Sequence, residues 1–251
     1  MMAAGVLADA IVLAAGRGER MRPLTDHCPK PLLAVRGQPL MRYHLQALAR
    51  AGFGRVVVNT AWLGEQIEAA FGTAPRLDDA HDAHDVGGSG GTLHIAYSHE
   101  GRDFGGALET AGGIARALPL LGEVFWVVAG DVFMPGFEFS RAAFDRFAAG
   151  SQLAHLYLVP NPPHNPRGDF GLAADGRALN DAPERYTYST VGLYRKALFD
   201  GLPAGNPQGF KAPLAPLLRA AMDNGRVSAE IYHGPWTDVG TPQRLAQLNA
   251  S

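Results

Sequence analysis

Two stretches near the start of the chain carry residues suited to phosphate chemistry. An apolar run, Ala10-Ile11-Val12-Leu13-Ala14, opens into Ala15-Gly16-Arg17-Gly18-Glu19-Arg20-Met21-Arg22-Pro23-Leu24, and Pro29-Lys30-Pro31-Leu32-Leu33 follows. Glycine lets backbone N–H groups approach a phosphate, and a turn or helix terminus adds partial positive charge. Arg17, Arg20 and Arg22 add guanidinium forks that match phosphate oxygens. Such an arrangement can hold a nucleoside triphosphate, although an exposed basic loop would have the same composition.

Two standard phosphate motifs do not fit. The dinucleotide fingerprint needs a third glycine where Met21 stands, and the P-loop needs a Gly-Lys-Ser or Gly-Lys-Thr ending that is missing. Lys30 strengthens the phosphate reading nonetheless. Cys28 and Lys30 each precede a proline, which biases both toward extended backbone and stiffens the segment beside the loop. The chain has only three lysines, Lys30, Lys196 and Lys211, and the first and last fall in segments singled out on other grounds.

Further along, Asp131 closes a strongly apolar run over residues 124–129. The carboxyl end of a central strand is where open α/β sheets bind ligands, and a carboxylate there suits Mg²⁺, which takes one or two carboxylates with phosphate oxygens and water. Asp238, in the turn Trp236-Thr237-Asp238-Val239-Gly240, is a candidate second ligand. Two aspartates with a phosphate loop and a lysine form a coherent set for phosphoryl transfer. Leu108-Glu109-Thr110-Ala111-Gly112-Gly113 opens a helix whose small residues let a flat base or sugar approach, with Thr110 as a plain N-cap the simpler alternative. Asp78-Asp79-Ala80-His81-Asp82-Ala83-His84-Asp85, followed by the Gly-rich residues 87–91, reads as a solvated flexible insertion over 77–91 rather than a metal cluster. Glu184-Arg185 and residues 164–167 are polar loop positions to which spacing alone assigns no chemistry.

The scaffold behind these residues reads as alternating strands and helices. Strands are expected at 10–14, 56–58, 94–97, 124–129, 153–159, 189–194 and 228–232, and helices at 39–51, 63–70, 110–118, 140–149, 213–223 and from Pro242. Residues 15–37 read as a long loop, 161–168 as a Pro-rich loop, and 170–182 as a hairpin around Asp175-Gly176. The β-loop-α-β-α order predicts a three-layer α/β/α domain of Rossmann-like type, with a mixed, mostly parallel sheet. One domain over 1–251 is expected, with a nucleotide-binding half over about 10–135 and a substrate half over about 136–251.

Bulk properties narrow the classes. The 251 residues are ample for a packed core, and a net charge of −2 argues against a broad nucleic-acid surface. A single cysteine, Cys28, excludes an intrachain disulfide and fits a reducing cytoplasm. No apolar run reaches membrane-spanning length, and residues 1–9 lack a basic n-region, so neither a membrane partner nor a secretory signal is expected.

Together the loop over residues 13–25, Pro29-Lys30-Pro31-Leu32, Val128-Ala129-Gly130-Asp131 and Trp236-Thr237-Asp238-Val239-Gly240-Thr241 resemble the sugar-1-phosphate nucleotidyltransferase family, in matching order across nearly the whole chain. Residues 59–67, 108–114, 167–170 and 210–219 resemble a uridylyltransferase branch of it. The resemblance implies UTP and a sugar-1-phosphate as substrates, Mg²⁺ as cofactor, and a monomer or small homo-oligomer. It implies nucleotide binding by Leu13, Ala14, Ala15, Gly16, Arg17, Gly18, Glu19, Arg20, Lys30, Asn59, Glu109, Thr110 and Gly112. It further implies catalysis by Arg20, Lys30 and Asp131, metal binding by Asp131 and Asp238, and acceptor binding by Gly168, Glu184 and Lys211. The chain departs from many relatives at Asn180-Asp181-Ala182-Pro183-Glu184, where they carry a Glu-Lys-Pro motif for the sugar phosphate. Lys211 and Arg219 are the candidates to replace that lysine, and Arg167 is a further candidate cation on the sugar side. The alternatives are guanylyl or thymidylyl transfer to another sugar phosphate, such as a mannose or heptose phosphate, and a non-catalytic nucleotide-binding regulatory module; both aspartates and Lys30 favour an enzyme.

Overall fold

A computed structural model of the chain describes residues 7–77 and 93–250. The expected insertion over 77–91 therefore lies, apart from Leu77, outside the described residues. Seven strands form one sheet: β1 (Ala8–Ala14), β2 (Arg55–Thr60), β3 (His94–His99), β4 (Leu121–Ala129), β5 (Ala154–Val159), β6 (Thr187–Arg195) and β7 (Val227–Ile231). Their order is β7-β5-β6-β4-β1-β2-β3, and of these seven strands only β6 runs antiparallel to its neighbours. The expected mixed, mostly parallel sheet is thus observed.

The helices are α1 (Leu40–Arg50), α2 (Gly64–Phe71), α3 (Glu100–Phe104), α4 (Glu109–Ala117), α5 (Arg141–Ala149), α6 (Leu214–Asp223) and α7 (Pro242–Ala250). Strand β1 shows why the sheet must be covered on both faces. Ala10, Val12 and Ala14 enter one core with residues of α1, α2 and α5, while Ile11 enters a second core with α4 and α6. Burial of each valine or isoleucine contributes roughly 1.5–3 kcal/mol, so a register slip that exposed either set would be costly. Among the described residues no helix is long and apolar enough to cross a membrane.

Several expected ends are visible. Ser140 caps α5, its Oγ accepting from Ala143 N–H at 3.2 Å, and Pro242 is the first residue of α7. Thr110 is not an N-cap; it lies inside α4, with Leu108 in the cap position. The expected hairpin is present as Gly171–Leu172 paired with Ala178–Leu179. Helix α3 was not expected, being too short to show a helical period.

The long loop over 15–37 is more ordered than its composition predicts. It holds three 3₁₀ turns, Glu19–Met21, Leu24–Asp26 and Lys30–Leu32, and a ribbon of Ala34–Val35 with Gln38–Pro39. Its anchor is Met21, fully buried with Leu33, Val35, Leu40, Phe133 and Val239 in a third core beneath the loop. The residue that breaks the dinucleotide fingerprint is therefore what pins the loop. Lys30 also departs from the extended backbone expected before a proline. Leu33 N–H donates to Lys30 O at 3.1 Å, drawing Lys30 into a 3₁₀ turn.

Candidate active site

Strand order reverses direction at β1, whose neighbours are β2 and β4, and ligands in open α/β sheets bind at such a point beyond the carboxyl ends of the strands. Two adjoining cavities open there. The larger, about 420 Å³, is lined on one side by Leu13, Ala14, Ala15 and Gly16 and on the other by Glu109, Thr110, Tyr188 and Thr190. The smaller, about 230 Å³, is lined by Gly16, Gly18, Glu19, Arg20 and Met21, with Gly240 opposite. Gly16, Lys30 and Asp131 belong to both, so the lysine and the aspartate stand at the junction.

The loop's geometry depends on Gly18. Its φ of +69° is left-handed, and a Cβ there would lie 2.9 Å from Thr25 Cγ2. Thr25 in turn donates from Oγ1 to Gly18 O at 2.8 Å, closing the loop on itself. Arg20 lines the smaller cavity, but Arg17 lines neither. The Arg17 guanidinium donates to Thr25 O and Asp26 Oδ1, both at 2.9 Å, and stacks 3.7 Å from the Trp62 ring centre. Its side chain braces the loop against Trp62, in the turn before α2, and is thereby engaged away from the two cavities.

Lys30 is 8% exposed, and its Nζ donates to Asp131 Oδ2 at 2.5 Å. Asp131 follows β4 through Gly130, whose N–H donates to Leu13 O at 2.8 Å. A two-residue antiparallel ribbon, Val132–Phe133 with Thr237–Asp238, then brings in the second carboxylate from more than a hundred residues away. It pairs Asp238 with Val132, and Val239 N–H donates to Asp131 O at 3.0 Å. Asp238 is held by His164, Nε2 to Oδ1 at 2.8 Å, and by an ion pair with Arg244. Among the described residues no group of three or more His, Cys, Asp or Glu forms a ready-made metal cage. Two carboxylates beside a phosphate cavity are a donor set that fits Mg²⁺, which completes its shell with phosphate and water.

The turn carrying Asp131 is braced from below. His44 of α1 is 2% exposed and donates from Nε2 to Val132 O at 2.9 Å. Burial lowers its pKa to about 4, despite opposing contributions from that hydrogen bond and from Asp131. Because the unfolded chain binds this proton more readily, His44 makes the protein less stable as pH falls from about 6.5 to about 4. Chemical denaturation should show this loss, up to about 3 kcal/mol, in the wild type and not in His44→Gln; equal pH slopes in the two proteins would refute it.

On the far wall, Asn59 and Glu100 join three elements. Ala14 N–H donates to Asn59 Oδ1 at 2.9 Å, Asn59 Nδ2 donates to Glu100 Oε1 at 2.6 Å, and Leu108 N–H donates to Glu100 Oε2 at 2.7 Å. Glu100 is fully buried, and that burial pushes its carboxyl pKa up against the lowering effect of its two donors. The network is packed so closely that a Cβ on Gly113 would lie 2.4 Å from Glu100 Oε1. Glu109, at φ +61°, and Thr190, at φ +65°, are non-glycine residues in left-handed backbone, and both line the larger cavity. Such residues concentrate at functional sites, and a β-branched one is rare. Thr190 sits where the register of β6 on β5 shifts between Tyr188 and Gly192.

The structure therefore brings together Leu13, Ala14, Ala15, Gly16, Gly18, Glu19, Arg20, Lys30, Asn59, Glu109, Thr110 and Asp131 around the two cavities, with Asp238 adjoining through the ribbon. Gly112 is not among their lining residues. A Cβ on it would meet Phe210 O at 2.6 Å, so the absence of a side chain there lets the segment at Phe210 and Ala212 pack closely on α4. Gly168, Glu184 and Lys211 line neither cavity; Lys211 is exposed, and Gly168 packs on Arg185 and Asn161. Sequence reasoning missed Glu100, Tyr188 and Thr190. Glu100 had a signal, a carboxylate at the end of a predicted strand. Thr190 had none, because its conformation follows from a shift in strand register.

A parallel-type α/β sheet with a phosphate loop at its switch point and two aspartates on facing turns defines a nucleotide-binding transferase site. The nucleotidyl transferase family matches residues 9–251. The chain belongs to that family, and within it to the sugar-1-phosphate nucleotidyltransferases. It is 49% identical over 249 residues, 96% of each chain, to N-acetylmuramate alpha-1-phosphate uridylyltransferase of Neisseria meningitidis. It is 33% identical to the enzyme of the same name from Caulobacter vibrioides, covering 93% of this chain and 92% of that one. The fold is shared with a UDP-glucose pyrophosphorylase from Acinetobacter baumanii, with a TM-score of 0.72, 15% identity, and 97% and 92% of the two chains covered.

Proposed function

We propose that this protein transfers UMP from UTP to N-acetylmuramate α-1-phosphate, releasing pyrophosphate, with Mg²⁺ as cofactor, in peptidoglycan recycling. The likeness to the Neisseria uridylyltransferase over almost the full length of both chains carries the choice of substrates. In this reading the base and ribose occupy the larger cavity, against Leu13, Ala14, Glu109 and Thr110, and the triphosphate runs into the smaller one. Backbone N–H groups of Gly16 and Gly18 and the guanidinium of Arg20 take the phosphate oxygens. Mg²⁺, held by Asp131 and Asp238, supplies charge neutralisation and alignment of the reacting phosphates when bound. The acceptor phosphate is already an anionic nucleophile, so no side chain need remove a proton. An acceptor oxygen forms a bond to the α-phosphorus as the bond to the bridging oxygen breaks, and pyrophosphate leaves. Lys30 offsets the charge that develops there, from a position fixed before reaction.

The halves over about 10–135 and 136–251 serve as the nucleotide and sugar-phosphate sides of one domain, in a cytoplasmic monomer or small homo-oligomer. The deciding experiment is pyrophosphate release, with and without Mg²⁺, across UTP, GTP and dTTP. The acceptors are N-acetylmuramate α-1-phosphate, glucose-1-phosphate and mannose-1-phosphate. UTP with N-acetylmuramate α-1-phosphate should give the highest kcat/KM by at least about tenfold, and only with Mg²⁺. A preference for GTP or dTTP, or no turnover with any pair, would overturn the proposal.

A further inference from the structure

We propose that Arg244 receives the phosphate of the incoming sugar-1-phosphate, and that before metal binds it is the counter-ion of Asp238. The inference rests on the reading of Asp238 as a metal ligand. Arg244 lies in the first turn of α7, where its backbone N–H donates to Thr241 Oγ1 at 3.3 Å. Its Nη1 donates to Asp238 O at 3.0 Å and pairs with the Asp238 carboxylate. A Cβ on Gly240 would come within 2.7 Å of Arg244 Nη2, so the guanidinium packs directly against Gly240, a wall of the smaller cavity. Glycine at 240 serves to make room, since its φ is not left-handed. Arg244 Nη1 also lies 3.1 Å from His164 Nε2, in the Pro-rich loop over 161–168.

One permanently charged group thus meets the second carboxylate, Gly240 at the wall of the smaller cavity, and His164. The other candidates for an acceptor cation are elsewhere. Arg219 sits 5.3 Å from the Phe170 ring centre, Lys30 is bound to Asp131, and neither Lys211 nor Arg167 pairs with Asp238 or packs on Gly240. The segment over 180–184 has no lysine. A divalent ion on Asp238 repels a guanidinium that cannot lose its proton, and the freed fork suits two oxygens of a phosphate monoester.

The test measures Mn²⁺ binding by electron paramagnetic resonance to nucleotide-free protein, and separate KM values for UTP and for the sugar-1-phosphate turned over best. Arg244→Gln should bind Mn²⁺ about five- to tenfold more tightly. It should raise the acceptor KM about ten- to a hundredfold while the UTP KM changes less than about twofold. Arg244→Lys should restore part of the acceptor KM, which a merely structural role would not explain. An acceptor KM within about twofold of wild type in Arg244→Gln would overturn the proposal. Asp238→Asn separates the two readings: unchanged Mn²⁺ affinity in that variant refutes Asp238 as a ligand, while the acceptor KM still decides Arg244.

Discussion

Replacing Asp131 by Asn should lower kcat by about a thousandfold or more, with the folded structure retained. Asparagine keeps the shape and one acceptor oxygen but removes the charge that a divalent ion requires. Loss of a metal's contribution in phosphoryl transfer costs several kcal/mol, and about 1.4 kcal/mol is tenfold in rate. The Asp131 side chain is 38% exposed, so its pairing with Lys30 contributes little to stability and the melting temperature should shift by only a few degrees. Asp238→Asn should act similarly, because the ribbon between residues 132–133 and 237–238 joins Asp238 to the segment that follows Asp131. Mg²⁺-dependent pyrophosphate release, with thermal melts as a folding control, is the measurement. Near-normal turnover in both variants would show that neither carboxylate holds the metal.

Lys30→Met should separate function from stability in the opposite way. Lys30 sits at the junction of the two cavities, 2.5 Å from Asp131. A preorganised positive charge near a reacting phosphate contributes about 10²–10³ in rate, and methionine supplies none. Methionine nevertheless fits a site that is 8% exposed, and the Asp131 carboxylate left without its partner is 38% exposed, so water solvates it. Kcat should therefore fall about a hundredfold or more, while the melting temperature holds or rises. A fall in melting temperature in proportion to activity would make Lys30 a structural residue. Restoration of most activity by Lys30→Arg would show that charge alone, not a compact ammonium, is what the site needs.

Much of the fold was legible because it follows from local pattern. The run over residues 10–14 read as a buried parallel strand, as it is, and the capping serine at 140 and Pro242 marked their helices correctly. Lys30, Asp131 and Asp238 stood out as candidates only in combination with the glycine-containing loop, and the structure places Lys30 beside Asp131 and joins Asp238 to them through the ribbon. Gly112 and Arg17 stand outside the lining of the two cavities for one physical reason. A glycine shows that something approaches closely, but not whether it is a ligand or the backbone at Phe210. An arginine shows a charge, but not that Trp62 and Asp26 have taken it.

By itself the sequence determined the alternation of strands and helices, the phosphate loop and the set of charged groups, since these depend on residue type and spacing within short segments. Only the tertiary structure decided which charges face one another. A two-residue ribbon joins the segments of Asp131 and Asp238, Met21 anchors the loop, Glu100 closes one wall of the larger cavity, and Arg244 reaches Asp238 from the last helix. Each of these contacts joins segments far apart in the chain. Their geometry is set by how the sheet orders its strands and how the helices pack on it, which no local pattern encodes.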